Sequence, residues 1–284
     1  MLNNRSARAA QVLAVLGKAL AYLVLFWGFQ FLVSLVFALM ALTAALLTAG
    51  SLDPLQFLQQ VQSAATVLVL IANLLTLLFL LIFFAVRRKH LLTEVKLRPV
   101  ALRAAAAGAA VAPLFYAAVT LIISFLPETW MTDYAQASAG LTGGGVLSAV
   151  SIVIISPMTE EVIFRGLVQS RLARAIPGWP AVLVASALFA LGHGQPVWIG
   201  YAFCIGLLLG IMAWRTGSIL PGLITHVVFN AIGQILSLPQ LMDVSGLVIL
   251  AVLAIVGILA CLAARKGLAL LFFPSLQQEA DAHD

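Results

Sequence analysis

A set of polar residues within otherwise apolar stretches of the sequence has the side chains needed to activate water. A carboxylate can take a proton from water, an imidazole can accept or donate one, and an amide can stabilise an oxyanion. The residues form three clusters, in each of which two side chains stand four residues apart and can share one helix face. They are Glu160 and Glu161 with Arg165, then Phe189 with His193, then His226 with Asn230.

The first cluster leaves open which of its two carboxylates is reactive. Glu161 and Arg165 stand four residues apart, so on a helix they can form an ion pair. Glu160 points about 100° away and has no partner on its own helix. Either acid could be the base on sequence grounds alone. A structural role is the alternative for every cluster, because polar residues also join membrane helices by hydrogen bonds, and Phe189 is expected to pack.

The elements that position these residues must be membrane helices. Hydrophobic residues make up 63% of the 284 residues and charged residues 9%, which excludes a soluble domain. We expect an all-α, polytopic bundle of about eight transmembrane helices in one domain at 1–274, with a motif-bearing core at 145–236 and a polar, disordered tail at 275–284. The predicted spans are 19–47, 66–86, 104–126, 145–165, 180–196, 198–214, 219–236 and 244–264.

The basic residues predict how this bundle is oriented. With eight spans, all 15 Lys and Arg residues fall on the side of the N-terminus, so both termini are expected in the cytoplasm. We therefore attribute the net charge of +5 to the basic residues that orient the protein in the membrane, and no nucleic-acid partner is expected. Residues 91–103 are predicted as either an interfacial segment or a solvated basic loop, and residues 127–144 as a flexible outer connection. Asn73 is interpreted as a helix-packing residue.

These motifs resemble the CPBP or Abi family of intramembrane glutamic endopeptidases, which includes type II CAAX prenyl proteases and bacteriocin-immunity proteins. The family pattern is EExxxR, FxxxH and HxxxN on successive helices of an eight-helix bundle. All its positions are present here in that order, and the proline before the acidic pair and the following Phe-Arg-Gly also fit. The resemblance covers residues 157–230 and leaves the first three spans aside.

The resemblance implies a metal-independent hydrolase without a cofactor. By similarity, Glu160 is the base, His193 helps it to activate water, and His226 with Asn230 stabilises the oxyanion. Glu161, Arg165 and Phe189 would support the site. The implied partners are membrane lipid and a membrane-associated or lipidated peptide substrate. A prenylated CAAX-type peptide is one such substrate. The implied location is a bacterial inner or plasma membrane, whereas the sequence says nothing of the oligomeric state.

Two other functions fit parts of the sequence. A zinc protease could use Glu160, His193 and His226 as ligands, although no HExxH motif is present. A non-catalytic scaffold or immunity protein could keep the polar cluster for assembly. A transporter is the weakest alternative, since the sequence has no internal repeat.

Overall fold

A computed structural model describes residues 2–49, 54–142, 145–237 and 245–272. Every regular element in these ranges is a helix, which confirms the all-α prediction. In chain order the helices are α1 (Leu2–Ala49), α2 (Pro54–Val86), α3 (Leu91–Glu94), α4 (Leu102–Ile123), α5 (Glu128–Thr142), α6 (Gly145–Leu172), α7 (Gly178–Leu191), α8 (Pro196–Thr216), α9 (Leu220–Leu236), α10 (Gly246–Ala263) and α11 (Arg265–Phe272).

The apolar helices account for the predicted membrane spans. Within the described ranges, six helices are long and apolar enough to cross a bilayer, namely α1, α2, α4, α6, α8 and α10. Helices α7 and α9 are shorter but also apolar. Large apolar side chains such as Phe31, Leu81 and Leu259 face outward, whereas Glu161 and Arg165 are buried. This arrangement suits a lipid solvent, so the prediction of a polytopic membrane protein is confirmed.

Some helices extend beyond the predicted membrane spans, and the segment predicted as a flexible connection is helical. Helix α1 begins at Leu2, well before the predicted start at residue 19. The predicted flexible connection at 127–144 contains the helix Glu128–Thr142, because a polar sequence without proline can continue as a helix outside the hydrocarbon. Helix α6 continues to Leu172 beyond its predicted end at residue 165. Residues 143–144 and the tail 275–284 lie outside the described residues.

Helix α6 has two π-helical stretches, Ser151–Ile155 and Glu161–Gln169, on either side of the short α-helical segment that ends at Glu160. A π turn inserts an extra residue into the helix and rotates the side chains that follow it. Glu160 and Glu161 therefore lie at the junction of two helical geometries. Such local departures from α-helix are common at functional sites.

The segment 91–103 packs against the end of the bundle. Val95 is fully buried, and Glu94 accepts a hydrogen bond from Arg171 at 2.6 Å. Ser218 Oγ donates to the carbonyl oxygen of Arg98 at 2.7 Å. Of the two alternatives predicted for this segment, the solvated loop was therefore wrong, because its side chains find partners on α6 and its backbone binds the turn before α9.

Helix packing brings the motif-bearing helices together. Helix α6 contacts α1, α2, α7 and α9, and α7 packs along α8. Helix α4 packs against α9 and α10 on the other side of the bundle. At 1.5 Å per residue, Glu160 and His193 both lie roughly 20 Å from the ends of their helices at Leu172 and Gly178. The two side chains can therefore occupy a similar depth in the bundle.

Candidate active site

A buried ion pair lies at the centre of the candidate site. Arg165 Nη1 donates to Glu161 Oε1 at 2.9 Å, and the side chains are 1% and 0% exposed. Arg165 Nη2 donates to the carbonyl oxygen of Gly206 at 3.1 Å. The guanidinium also stacks on the Phe189 ring, with Cζ 4.3 Å from the ring centre. Arg165 is thus held by contacts from three helices. The end of span four predicted at residue 165 had implied a cytoplasmic position, and the structure places Arg165 within α6 instead.

His226 lies between the two adjacent carboxylates. Its Nδ1 is 3.1 Å from Glu161 Oε1, and its Nε2 is 3.6 Å from Glu160 Oε2. The imidazole is 5% exposed, so solvent does not compete for these positions. Helix α9 therefore presents one imidazole to both acids of α6, and Glu161 fixes the orientation of that ring.

A cavity of about 250 Å³ adjoins this cluster. Glu160 and His193 both line it, although they come from α6 and from the turn after α7. The side chain of Glu160 is 19% exposed, in contrast to the fully buried Glu161. Of the two candidate bases, Glu160 is thus the one that reaches open space. His226 and Asn230 are not among the lining residues.

The backbone of α7 determines which nitrogen of His193 carries a proton in the neutral ring. His193 Nδ1 lies 3.0 Å from the carbonyl oxygen of Phe189. A carbonyl oxygen can only accept, so Nδ1 must be the donor, and Nε2 is left with its lone pair. The Phe189 ring packs edge-on against the imidazole at 4.9 Å between ring centres. His193 is therefore oriented to accept a proton through Nε2.

Asn230 has a structural contact that the sequence motif does not indicate. Its Nδ2 donates to the carbonyl oxygen of Ile152 at 2.9 Å. In this π-helical stretch the Ser156 N–H donates to the Ser151 carbonyl, five residues earlier. A hydrogen bond of the same spacing from Pro157 would reach the Ile152 carbonyl, but proline has no N–H. Asn230 supplies the missing donor, and its second N–H remains for another acceptor.

Two further cavity residues were missed by the sequence motifs. Gln30 of α1 and Asn73 of α2 line the same space as Glu160 and His193. Gln30 Nε2 donates to Asn73 Oδ1 at 2.9 Å, and Asn73 Nδ2 donates to Ser156 Oγ at 2.9 Å. Both are carboxamides within long apolar helices. The cost of polar groups in a membrane span had indicated Asn73 as a helix-packing residue, and the same signal could have identified Gln30.

Comparison with known proteins agrees with the motif pattern. Residues 142–232 match the family model described as type II CAAX prenyl endopeptidase Rce1-like. This match supports the resemblance of the core to the CPBP/Abi family. All residues of the three motifs lie within the matched segment, whereas the part of the cavity wall that comes from α1 and α2 lies outside it.

One curated protein matches part of the chain. A protein of Escherichia coli, described as an uncharacterized 24.3 kDa protein, is 27% identical over 95 residues. The alignment covers 31% of this chain and 43% of that protein. The chain thus spans less than half the length of the relative that it matches. No solved structure gives a significant match to the chain.

Proposed function

We propose that this protein is an intramembrane peptidase that cleaves membrane-associated peptides, in which Glu160 is the general base. The observation that carries the proposal is the cavity shared by Glu160 and His193. The family description of the core, a CAAX prenyl endopeptidase, supports peptide hydrolysis and favours a prenylated C-terminal peptide as the substrate.

In the proposed reaction, water lies in the cavity between the peptide carbonyl and the Glu160 carboxylate. The water oxygen attacks the carbonyl carbon while Glu160 takes one of its protons, with His193 Nε2 as a second acceptor. The tetrahedral intermediate then collapses, the C–N bond breaks, and the proton passes to the leaving amine. Proton transfer by a positioned group of this kind accelerates reactions by about 10²–10⁴-fold.

Glu161 is better suited to a positioning role than to that of the base. Its Oε1 already binds Arg165 and contacts His226, and the side chain is fully buried. A carboxylate that holds an imidazole in one orientation is a recurring device in hydrolytic sites. We assign Glu161 and Arg165 to holding His226 beside Glu160.

The family resemblance assigns the oxyanion to donors on α9. Neither His226 nor Asn230 lines the cavity, so this role requires the substrate carbonyl to approach them beside Glu160. His226 Nε2 reaches the edge of the reacting carboxylate, and Asn230 lies one helical turn further along with one N–H still unused. Donors aimed at a developing oxyanion contribute about 2.7–4 kcal/mol each. For His226 this role requires a proton on Nε2 while Nδ1–H is held by Glu161.

A zinc protease is the second candidate, and the donor geometry does not favour it. Among the described residues, no three His, Cys, Asp or Glu side chains are grouped closely enough to hold a metal ion. The two nitrogens of His226 also face two different carboxylates. Measuring metal content and activity after chelation would decide between the two mechanisms, and a stoichiometric ion needed for cleavage would contradict our proposal.

Cleavage of a defined peptide tests the proposed function. The protein in liposomes would receive a farnesylated peptide ending in a CAAX sequence, and mass spectrometry would detect the released tripeptide. We expect release by the wild type, a loss of at least 100-fold in His193→Ala, and no change in Glu128→Gln, which alters an exposed carboxylate. Equal cleavage by the wild type and His193→Ala would refute the assignment.

A further inference from the structure

A chain of hydrogen-bonded side chains joins α1, α2 and α6 at the edge of the cavity. Gln30 donates to Asn73, and Asn73 donates to Ser156. Ser156 lies one helical turn before Glu160 on α6, so this chain ends beside the proposed base. Gln30 and Asn73 themselves line the cavity that holds Glu160 and His193.

The two carboxamides differ in how many of their hydrogen-bonding groups are used. Asn73 is 1% exposed and bonds in both directions, which suffices to explain it as a link between helices. Gln30 is only partly buried and uses one N–H in this chain. Its carbonyl oxygen and its second N–H remain next to the cavity. A carboxamide with these groups can accept a hydrogen bond from the N–H of a peptide group, and it can donate one to the C=O of a neighbouring peptide group.

The surroundings of Gln30 fit a peptide with an apolar residue next to this peptide group. Phe26 and Trp27 of α1 and Val69 of α2 line the same cavity. An unpaired peptide group is unfavourable in a largely apolar cavity, so a partner on the cavity wall would strongly favour binding of an extended peptide.

We propose that Gln30, oriented by Asn73, binds a backbone peptide group of the substrate, and that Phe26, Trp27 and Val69 receive the adjacent apolar side chain. The inference rests on the proposed peptidase function. The matched family segment covers residues 142–232, so this binding wall comes from the part of the chain outside it. Substrate selection and chemistry would then be carried by different parts of the sequence.

Binding of backbone-altered peptides tests this role directly. The full chain carrying Glu160→Gln, in nanodiscs, would bind a fluorescent farnesylated CAAX peptide and analogues in which single amides are replaced by esters, which lack the N–H. We expect one ester position to weaken binding about tenfold. Gln30→Met keeps the side-chain length but removes the amide, so it should weaken binding of the parent peptide by a similar factor. In this variant, the ester at the sensitive position should weaken binding no further.

The matched control is Gln11→Met, which alters an exposed glutamine of the same helix. A helix-joining role for Gln30 would change the unfolding temperature and leave the ester effect intact. The inference would be overturned if the ester and Gln30→Met lowered the binding affinity independently, so that their factors multiplied. It would also be overturned if the parent peptide did not bind saturably. Cleavage by the wild type together with independent effects would leave the peptidase in place and reject Gln30. If the ester had no further effect on binding in Gln30→Met but no cleavage occurred, Gln30 would remain a binding residue and the peptidase proposal would be rejected.

Discussion

Glu161 and His226 face each other across the interface of α6 and α9, with the carboxylate Oε1 3.1 Å from the imidazole Nδ1. The same oxygen accepts a hydrogen bond from Arg165. One buried oxygen therefore connects a cation and an imidazole on two helices, and the neighbouring acid, Glu160, is left to face the cavity. Adjacent carboxylates thus have different environments, which is the basis for the different roles that we assign to them.

The buried pair predicts a non-additive response to substitution. Arg165→Leu leaves Glu161 buried without its cation and should lower the free energy of unfolding by about 3–5 kcal/mol. Adding Glu161→Leu removes the uncompensated charge, so the double variant should be more stable than Arg165→Leu alone. Unfolding in detergent micelles measures both.

The control for this series is Lys89→Leu, which breaks the more exposed pair between Lys89 and Glu94. It should change the unfolding free energy by less than about 1 kcal/mol. Additive losses in the Arg165→Leu and Glu161→Leu pair would contradict a mutually dependent ion pair.

The contact of Asn230 with Ile152 predicts a rescue. Asn230→Ala leaves the Ile152 carbonyl without its donor and should cost about 1–3 kcal/mol. Pro157→Ala in the same chain provides a backbone N–H for that carbonyl, so it should recover part of the loss in the Asn230→Ala background. Thermal unfolding of the two single variants and of the double variant measures this recovery of stability. Gln234→Ala is the control substitution on α9. A double variant less stable than Asn230→Ala would contradict this account of the π-helical stretch.

Glu94 predicts a pH-dependent contribution outside the membrane spans. Hydrogen bonding from Lys89 and the charges of Arg171 and Lys89 hold the pKa of Glu94 below its usual value, against the opposing effect of partial burial. The charged form is therefore favoured in the folded state. Its stabilising contribution should be complete above the ordinary pKa of a glutamate and disappear as the pH falls through the lower folded pKa.

The measurement is the difference in unfolding temperature between the wild type and Glu94→Gln as a function of pH. The wild type should be the more stable at neutral pH, and the gap should close under acidic conditions. Glu128→Gln, at an exposed acid, should show no such trend. A gap that widens in acid would reverse the sign of our assignment.

Gly166 and Gly200 form a matched pair of helical glycines. A Cβ at Gly166 would lie 2.7 Å from Val95 Cβ and 2.9 Å from the Val95 carbonyl oxygen, whereas at Gly200 nothing lies within 4 Å. Gly166→Ala should therefore lower the unfolding free energy by about 1–3 kcal/mol. Gly200→Ala should raise it by up to about 1 kcal/mol through helix propensity. Equal effects at the two sites would show that the contact between α6 and Val95 is loose.

Hydropathy was sufficient for the helical membrane fold, and motif spacing for the ion pair of Glu161 with Arg165. They could not show that α6 continues beyond Arg165, because a buried arginine and a cytoplasmic one look alike in sequence. They also missed Gln30 and the partner of Asn73, since hydrogen bonds between distant helices depend on packing that no local pattern specifies. The single domain at 1–274 and the cytoplasmic termini stay predictions.

The most direct test of the account compares Glu160→Gln with Glu161→Gln in one pair of assays, peptide cleavage in liposomes and thermal unfolding. Glu160 faces the cavity, so Glu160→Gln should keep the wild-type unfolding temperature and lose at least 100-fold in cleavage rate. Glu161 binds buried Arg165, so Glu161→Gln should unfold at a markedly lower temperature. Wild-type cleavage by Glu160→Gln, or a fully stable but inactive Glu161→Gln, would contradict the assignment of Glu160 as the base.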